Sequence, residues 1–127
     1  QENLVEEPAE EMQPPVQVTF DQVYFAYDQS TLSEQARAAL SNNAVILQTS
    51  PDLKVSIEGH CDDRGSDEYN LALGERRARA VRNFLVSLGV APERMETISY
   101  GEEMPVDSNR NEMAWAKNRR AEFKKLN

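Results

Sequence analysis

Apolar and polar side chains alternate in four stretches of the chain, and this alternation predicts β-strands. In the clearest stretch, the apolar residues Leu53, Val55 and Ile57 alternate with the polar residues Lys54, Ser56 and Glu58. A period of two places these sets on opposite sides, as in a sheet with one buried and one exposed face. Weaker alternation predicts three further strands, at Val18–Tyr27, Met95–Tyr100 and Arg119–Leu126. In the first of these, Val23, Phe25 and Tyr27 share one side.

A first helix is predicted between the first two strands. Its apolar face repeats at three- and four-residue spacing through Ala36, Leu40, Ala44 and Leu47. Thr31 and Glu34 fit a capping box, in which each side chain satisfies an amide of the first turn. Ser50-Pro51 ends the helix, because the residue before a proline is disfavoured in helical conformation.

A second, longer helix runs from about Glu68 to Leu88, and Gly89 fits its C-terminal cap. At about 100° per residue, its apolar face is formed by Leu73, Val81, Phe84 and Leu88. Arg77 lies in the middle of this face, with Asn70 on the same side nearly two turns earlier. Because an unpaired buried guanidinium is costly, Arg77 must meet a carboxylate or lie at the mouth of a cleft.

The order of the elements predicts an α/β (α+β) two-layer sandwich. A short helix near Asn111–Lys117 precedes the last strand, so four strands and three helices alternate along residues 17–127. This order favours a mixed four-stranded sheet with helices packed on one face. Residues 1–16 carry five glutamates, no Lys or Arg, and few large apolar side chains. Such a segment predicts a flexible tether, since it cannot bury enough surface to offset its ordering entropy.

The net charge of −8 argues against nucleic acid as a partner, because duplex binding needs a dense basic face. The charge is uneven, so a local basic site is still compatible with it. No stretch approaches the roughly 20 apolar residues of a membrane-spanning helix. The single cysteine, Cys61, excludes an intramolecular disulfide and is predicted to be a small buried residue at a strand end.

The turn between the second strand and the long helix, residues 59–65, reads Gly-His-Cys-Asp-Asp-Arg-Gly. It places the carboxylates of Asp62 and Asp63 close to the start of the helix that carries Arg77. A guanidinium and a carboxylate together match a zwitterionic ligand, with the guanidinium binding a carboxylate and Asp62 binding an ammonium. The alternative is that Asp62 and Arg77 pair with each other and simply lock the turn to the helix.

Other chemistry at this turn is less well supported. His60, Cys61 and Asp62 are consecutive, so their side chains alternate in direction, and a tetrahedral metal site would need remote carboxylates. A Cys–His nucleophile pair lacks an orienting partner, and His60 is predicted to be an exposed strand-end residue. Asp62 and Asp63 could act as a general acid and base in hydrolysis, but nothing in the sequence indicates a substrate bond that they would cleave. We therefore predict no catalytic residue, no metal and no cofactor.

Four segments resemble one known family. They are VYFAYDQSTL (23–32), VSIEGHCDDRGSDEYNLALGERRARAV (55–81), ISYGEEMP (98–105) and AKNRRAEF (116–123). With the stretches between them, these segments cover about residues 18–126. They resemble OmpA-like domains and, among these, most closely the peptidoglycan-associated lipoproteins. The resemblance implies non-covalent, non-catalytic binding of meso-diaminopimelate in the peptidoglycan stem peptide. It implies six ligand-binding residues: Asp62, Arg77, Asp28, Gln29, Leu73 and Arg64.

The resemblance also implies a cellular role. It suggests a link between the outer membrane and the wall in the Tol-Pal system, with roles in envelope integrity and cell division. A TolB-like periplasmic protein is the implied partner, and the implied location is the periplasmic face of the outer membrane in a Gram-negative bacterium. The lipid anchor of such proteins is absent from this chain, which starts at Gln1. The alternatives are the wall anchor of a flagellar stator or a porin-type protein, and less favourably a wall hydrolase.

Overall fold

The computed structural model describes residues 19–127. Its strands are β1 (Val23–Tyr24), β2 (Val55–His60), β3 (Met95–Gly101) and β4 (Arg120–Lys125). Its helices are α1 (Glu34–Thr49), α2 (Asp67–Ser87) and α3 (Glu112–Asn118), with a 3-10 turn at Pro92–Arg94. The predicted tether at residues 1–16, and residues 17 and 18 of the predicted domain, lie outside the described part.

The four strands form one mixed sheet in the order β1-β4-β2-β3. Strands β2 and β3 are parallel and joined by α2, whereas β4 runs antiparallel to both β1 and β2. The predicted two-layer α/β sandwich is confirmed, with the sheet and the two long helices sharing one apolar core. Within residues 19–127, no helix has the length and apolar character needed to cross a bilayer.

The core lies between β2 and the two long helices. All four residues predicted for the buried face of α1 are buried. In α2, Leu73 and Val81 are buried as predicted, but the prediction for Leu88 was wrong: it is 36% exposed, and Leu85 fills the core instead. The helix ends at Ser87, and Gly89, with φ 101°, turns the chain as the predicted cap. Leu88 therefore lies beyond the last turn.

Two predictions about the strands need correction. The first strand is short, and Tyr27 is 57% exposed because the chain leaves the sheet after Tyr24. The second face of β2 is not exposed, since Ser56, Glu58 and His60 are all buried. β2 has a neighbour on each side, so long side chains from β3 and β4 cover this face. His60, for example, stacks against the ring of Tyr100 at 5.6 Å between centroids.

The start of α1 also differs from the prediction. Thr31 and Glu34 form no capping box: the N-cap is Ser33, whose hydroxyl accepts a hydrogen bond from the Ala36 amide at 3.0 Å. Thr31 donates instead to the side chain of Gln29. Ser33 has the extended backbone conformation that an N-cap requires, which residue type alone does not reveal.

We expect Ser33→Ala to lower the free energy of unfolding by about 1 kcal/mol, because a first-turn amide of α1 loses its acceptor. Urea denaturation measures the change. Thr31→Ala is the matched control and should leave the midpoint nearly unchanged. If the two variants are equally destabilised, the capping interaction has been assigned to the wrong residue.

A candidate ligand-binding cavity

A cavity of about 240 Å³ opens where the ends of three segments meet. The segments are the loop after β1, the turn after β2 and the first three turns of α2. Ten residues line it: Tyr27, Asp28, Cys61, Asp62, Arg64, Gly65, Tyr69, Asn70, Leu73 and Arg77. Five of the six residues expected from the sequence are among them. The sixth, Gln29, contributes its backbone carbonyl rather than a side chain in the lining.

Arg77 forms the inner wall of the cavity and is only 1% exposed. Its guanidinium donates to three backbone carbonyls: Nε to Gln29 at 2.8 Å, Nη1 to His60 at 2.9 Å and Nη2 to Ala26 at 3.2 Å. It also lies over the ring of Phe25. Burial lowers the pKa of the Arg77 guanidinium, but an arginine stays charged at neutral pH. Arg77 thus ties the loop after β1 to the end of β2.

The guanidinium of Arg77 has N–H groups that no described residue accepts. The three carbonyls take one N–H each from Nε, Nη1 and Nη2, so the second N–H of Nη1 and that of Nη2 have no partner among the described residues. The sequence had suggested a carboxylate partner or a cleft. The structure has no hydrogen bond or ion pair between Arg77 and Asp62, so the alternative of a simple locking pair is wrong. A buried cation with spare donors faces the cavity instead.

Asp62 is paired with two other arginines. Its carboxylate accepts from the Arg64 amide at 3.0 Å and the Arg64 guanidinium at 2.8 Å, and Arg119 Nη1 lies 3.7 Å away. Burial alone would raise the pKa of the Asp62 carboxyl. The hydrogen bonds and charge of Arg64, together with the charge of Arg119, outweigh burial and hold that pKa below its usual value. Asp62 is therefore ionised at neutral pH.

Aromatic rings hold Arg64 in place. Its guanidinium lies between Tyr27 and Trp115, 4.0 Å from each ring centroid. The indole N–H of Trp115 donates to Asp63 at 2.9 Å, and Arg110 also pairs with Asp63. Asp63 thus braces the turn from outside the cavity, while Asp62 lines it.

The turn is also held from α2. The side-chain amide nitrogen of Asn70 lies 3.0 Å from the Arg64 carbonyl and 2.6 Å from a Glu102 oxygen. Cys61 is 3% exposed, as predicted, and burial raises the pKa of its thiol to about 11, so it is unreactive at neutral pH. The prediction of an exposed His60 was wrong, because it is 1% exposed.

The rim of the cavity includes a residue with unusual backbone geometry. Asp28 has φ 56°, in the left-handed region that few non-glycine residues adopt. Its exposed carboxylate accepts a hydrogen bond from the hydroxyl of Tyr69. Tyr69, Tyr27, Cys61 and Arg119 were not expected at the site. All four lie in segments matched by the resemblance, but only their positions in space bring them to the cavity.

Close packing of two glycines sets the distance between α2 and β2. A Cβ added to Gly59 would lie 1.8 Å from the carbonyl oxygen of Gly74, and one added to Gly74 would lie 2.2 Å from the Ser99 hydroxyl. The absence of both side chains lets the helix approach the strand directly. Arg77 follows Gly74 by one turn, so this contact positions the guanidinium against the end of β2.

Known proteins are similar to this chain in sequence and fold. Residues 24–119 match the model of the OmpA family. The peptidoglycan-associated lipoprotein of Pseudomonas aeruginosa is 51% identical over 102 residues, covering 80% of this chain and 60% of that protein. The corresponding protein of Brucella melitensis is 50% identical over 101 residues, with the same coverage. The chain thus spans about 60% of the length of these curated relatives.

Solved structures agree. The peptidoglycan-associated lipoprotein from Burkholderia pseudomallei has 43% identity and a TM-score of 0.80, covering 83% of this chain and 89% of that one. The C-terminal domain of Helicobacter pylori MotB has a TM-score of 0.79 with 22% identity and 86% coverage of both chains. The second likeness concerns the fold alone.

Proposed function

The chain belongs to the OmpA family, and on that premise we propose that it binds the stem peptide of peptidoglycan without cleaving it. The names of relatives that share about half of its residues support wall binding. The observation that carries the proposal is the Arg77 guanidinium, buried in a cavity with N–H groups to spare. A planar donor of this kind suits a carboxylate, which it can bind through two hydrogen bonds.

We assign meso-diaminopimelate as the recognised residue, because its side chain ends in both an amine and a carboxylate. The carboxylate would bind Arg77. The ammonium would bind the acidic side of the cavity, at Asp62 with Asp28 on the rim. Leu73, which is 4% exposed, would contact the methylene chain between the two groups. Arg64 would keep Asp62 ionised and oriented, and Gln29 would act by holding Arg77 through its carbonyl.

The same contacts favour binding over hydrolysis. A general acid or base needs freedom to exchange a proton near its working pH. Asp62 is held by Arg64 and Arg119, and its pKa is lowered. Asp63 is held by Trp115 and Arg110. Neither carboxylate is placed to act as a proton donor, so the proposal includes no catalytic step.

The cellular part of the proposal extends the names of the relatives. We infer that the protein links the wall to the outer membrane from its periplasmic side, in a Gram-negative bacterium, through a lipid anchor. A TolB-like periplasmic protein would be its partner in a Tol-Pal system. A flagellar stator or porin-type anchor is the alternative. The first role is favoured, because the sequence is about half identical to peptidoglycan-associated lipoproteins but 22% identical to MotB.

Calorimetric titration with a diaminopimelate stem peptide tests the ligand assignment. We expect Asp62→Asn to weaken binding by about 2 kcal/mol or more, since a desolvated charge pair is lost. A lysine-containing stem peptide, which lacks the side-chain carboxylate, should bind at least about tenfold more weakly to the wild type, since hydrogen bonds to charged groups contribute roughly 1.5–3 kcal/mol.

The matched control is Asp52→Asn, which removes an exposed carboxylate before β2, at the opposite end of the sheet. Its affinity should equal that of the wild type, and circular dichroism should show that both variants are folded. Equal affinity of Asp62→Asn and wild type would contradict the assignment of Asp62. Equal affinity for the two peptides would contradict the assignment of diaminopimelate.

A further inference from the structure

We propose that the face of the sheet turned away from the helices carries a site for a divalent transition-metal ion, formed by Glu58, His60 and Glu122. One ligand atom from each residue lies within 4.8 Å of the others. Nothing in the proposed wall-binding function uses these side chains. The site is distinct from the cavity, whose lining includes none of the three.

The sheet register explains why the three side chains meet. Glu58 and His60 are two residues apart on β2, so they share one face. Glu58 and Glu122 are directly paired in the antiparallel β2–β4 ladder. Paired residues in such a ladder have Cβ atoms roughly 5 Å apart. The remote carboxylates that a histidine site requires are therefore supplied by strand pairing, and not by the neighbours Cys61 and Asp62.

Burial leaves this cluster short of partners. The Glu58 side chain is 10% exposed and that of His60 is 1% exposed. Among residues 19–127, the one side chain within hydrogen-bonding distance of the Glu58 carboxylate is His60, whose Nε2 is 3.3 Å away. The other ring nitrogen, Nδ1, is buried and has no hydrogen-bond partner in that range. A nearly buried carboxylate without its own fixed cation is costly, and an added cation would offset that cost.

The residue types of the cluster suit a transition metal. One imidazole and two carboxylates are a ligand set that zinc accepts, with a fourth position left for water.

Two basic side chains compete with an ion for Glu122. Arg120 donates to the Glu122 carboxylate and is pinned by further bonds to the Asn118 and Met104 carbonyls. The Lys124 ammonium lies 3.7 Å from the other Glu122 oxygen and is 58% exposed, so it can swing into solvent. Metal binding should therefore displace Lys124, while the charge of Arg120 limits the affinity. This competition makes Lys124 a diagnostic position.

Titration of the protein with Zn²⁺, followed by calorimetry and by NMR of the histidine ring, tests the site. His60 is the only histidine in the chain, so its ring resonances report on it alone. The measurements use a Cys61→Ser background to exclude the thiol as a ligand. We expect one equivalent of Zn²⁺ to shift or broaden the His60 resonances. Glu58→Gln and Glu122→Gln should each weaken binding about tenfold or more, as even outer-shell losses cost roughly tenfold.

The control is Glu96→Gln, an exposed carboxylate on β3 that pairs with Ser56 beside the cluster. It should bind Zn²⁺ as the background protein does, whereas Lys124→Ala should bind it more tightly. The tightening separates coordination from a merely structural role, since removing a surface lysine creates no ligand. Unchanged His60 resonances at saturating Zn²⁺, or equal weakening by Glu96→Gln and Glu122→Gln, would overturn the proposal. Neither result bears on peptide binding in the cavity.

Discussion

Replacing Arg77 by alanine should lower the free energy of unfolding by about 3 kcal/mol or more, and it should abolish stem-peptide binding. The side chain is 1% exposed and donates to the carbonyls of Ala26, Gln29 and His60. Each buried carbonyl left without a donor costs roughly 1–3 kcal/mol, and the cavity lets water satisfy part of that loss. Urea denaturation would measure the destabilisation.

The neighbouring Arg76→Ala is the matched control, because Arg76 is exposed on the same helix. It should change stability by less than about 0.5 kcal/mol, as surface substitutions usually do. Arg77→Lys separates the two roles of Arg77, since a lysine keeps the charge but lacks the planar fork. We expect it to fold with reduced stability and to bind the stem peptide poorly. Wild-type stability of Arg77→Ala would show that the three carbonyls do not depend on this side chain.

Gly59→Ala should be at least as destabilising, by about 3 kcal/mol, at the upper end of the cost of overpacking. The added Cβ would lie 1.8 Å from the Gly74 carbonyl oxygen, a backbone atom that can move only if α2 shifts as a whole. Such a shift would also carry Arg77 away from the end of β2. Peptide affinity should therefore fall together with the denaturation midpoint.

Gly89→Ala provides the comparison. Gly89 has φ 101°, but the nearest atom to an added Cβ is 3.9 Å away, at the end of a flexible glutamine. Its cost should be about 1–2 kcal/mol, from backbone strain alone. A loss for Gly59→Ala no greater than that for Gly89→Ala would mean that α2 adjusts easily, and that the glycine contact does not set its position.

Local patterns predicted most of the elements because period and turn chemistry are local properties. The alternation at 53–58, the spacing of Leu40 and Leu47, and Gly89 after the long helix each depend on a few neighbouring residues. The anomaly of Arg77 on an apolar face was visible in the same way. Its burial and its place at the cavity follow the predicted face.

What the sequence could not reveal depends on distant residues. The sequence pattern predicted that the side chains of Glu58 and His60 are exposed on β2. They are buried, because side chains from β3 and β4 cover them. The choice between Thr31 and Ser33 as N-cap depends on a backbone angle. The contact between Gly59 and Gly74 joins a strand to a helix, and neither glycine marks it alone. The partners of Asp62 include Arg119, which lies 57 positions further along the chain.

The position of β4 in the sheet has a consequence for how the domain is made. This strand is the last of the four described strands in sequence order, yet it lies between β1 and β2. A chain that emerges N-terminus first from a ribosome or a transport channel cannot complete the sheet until residue 125 is released. Until then β1 lacks β4, its one neighbour among the described strands, and the edge of β2 that pairs with β4 is open. The sheet is therefore completed only after release, and chaperones that shield unpaired strands matter most before that point.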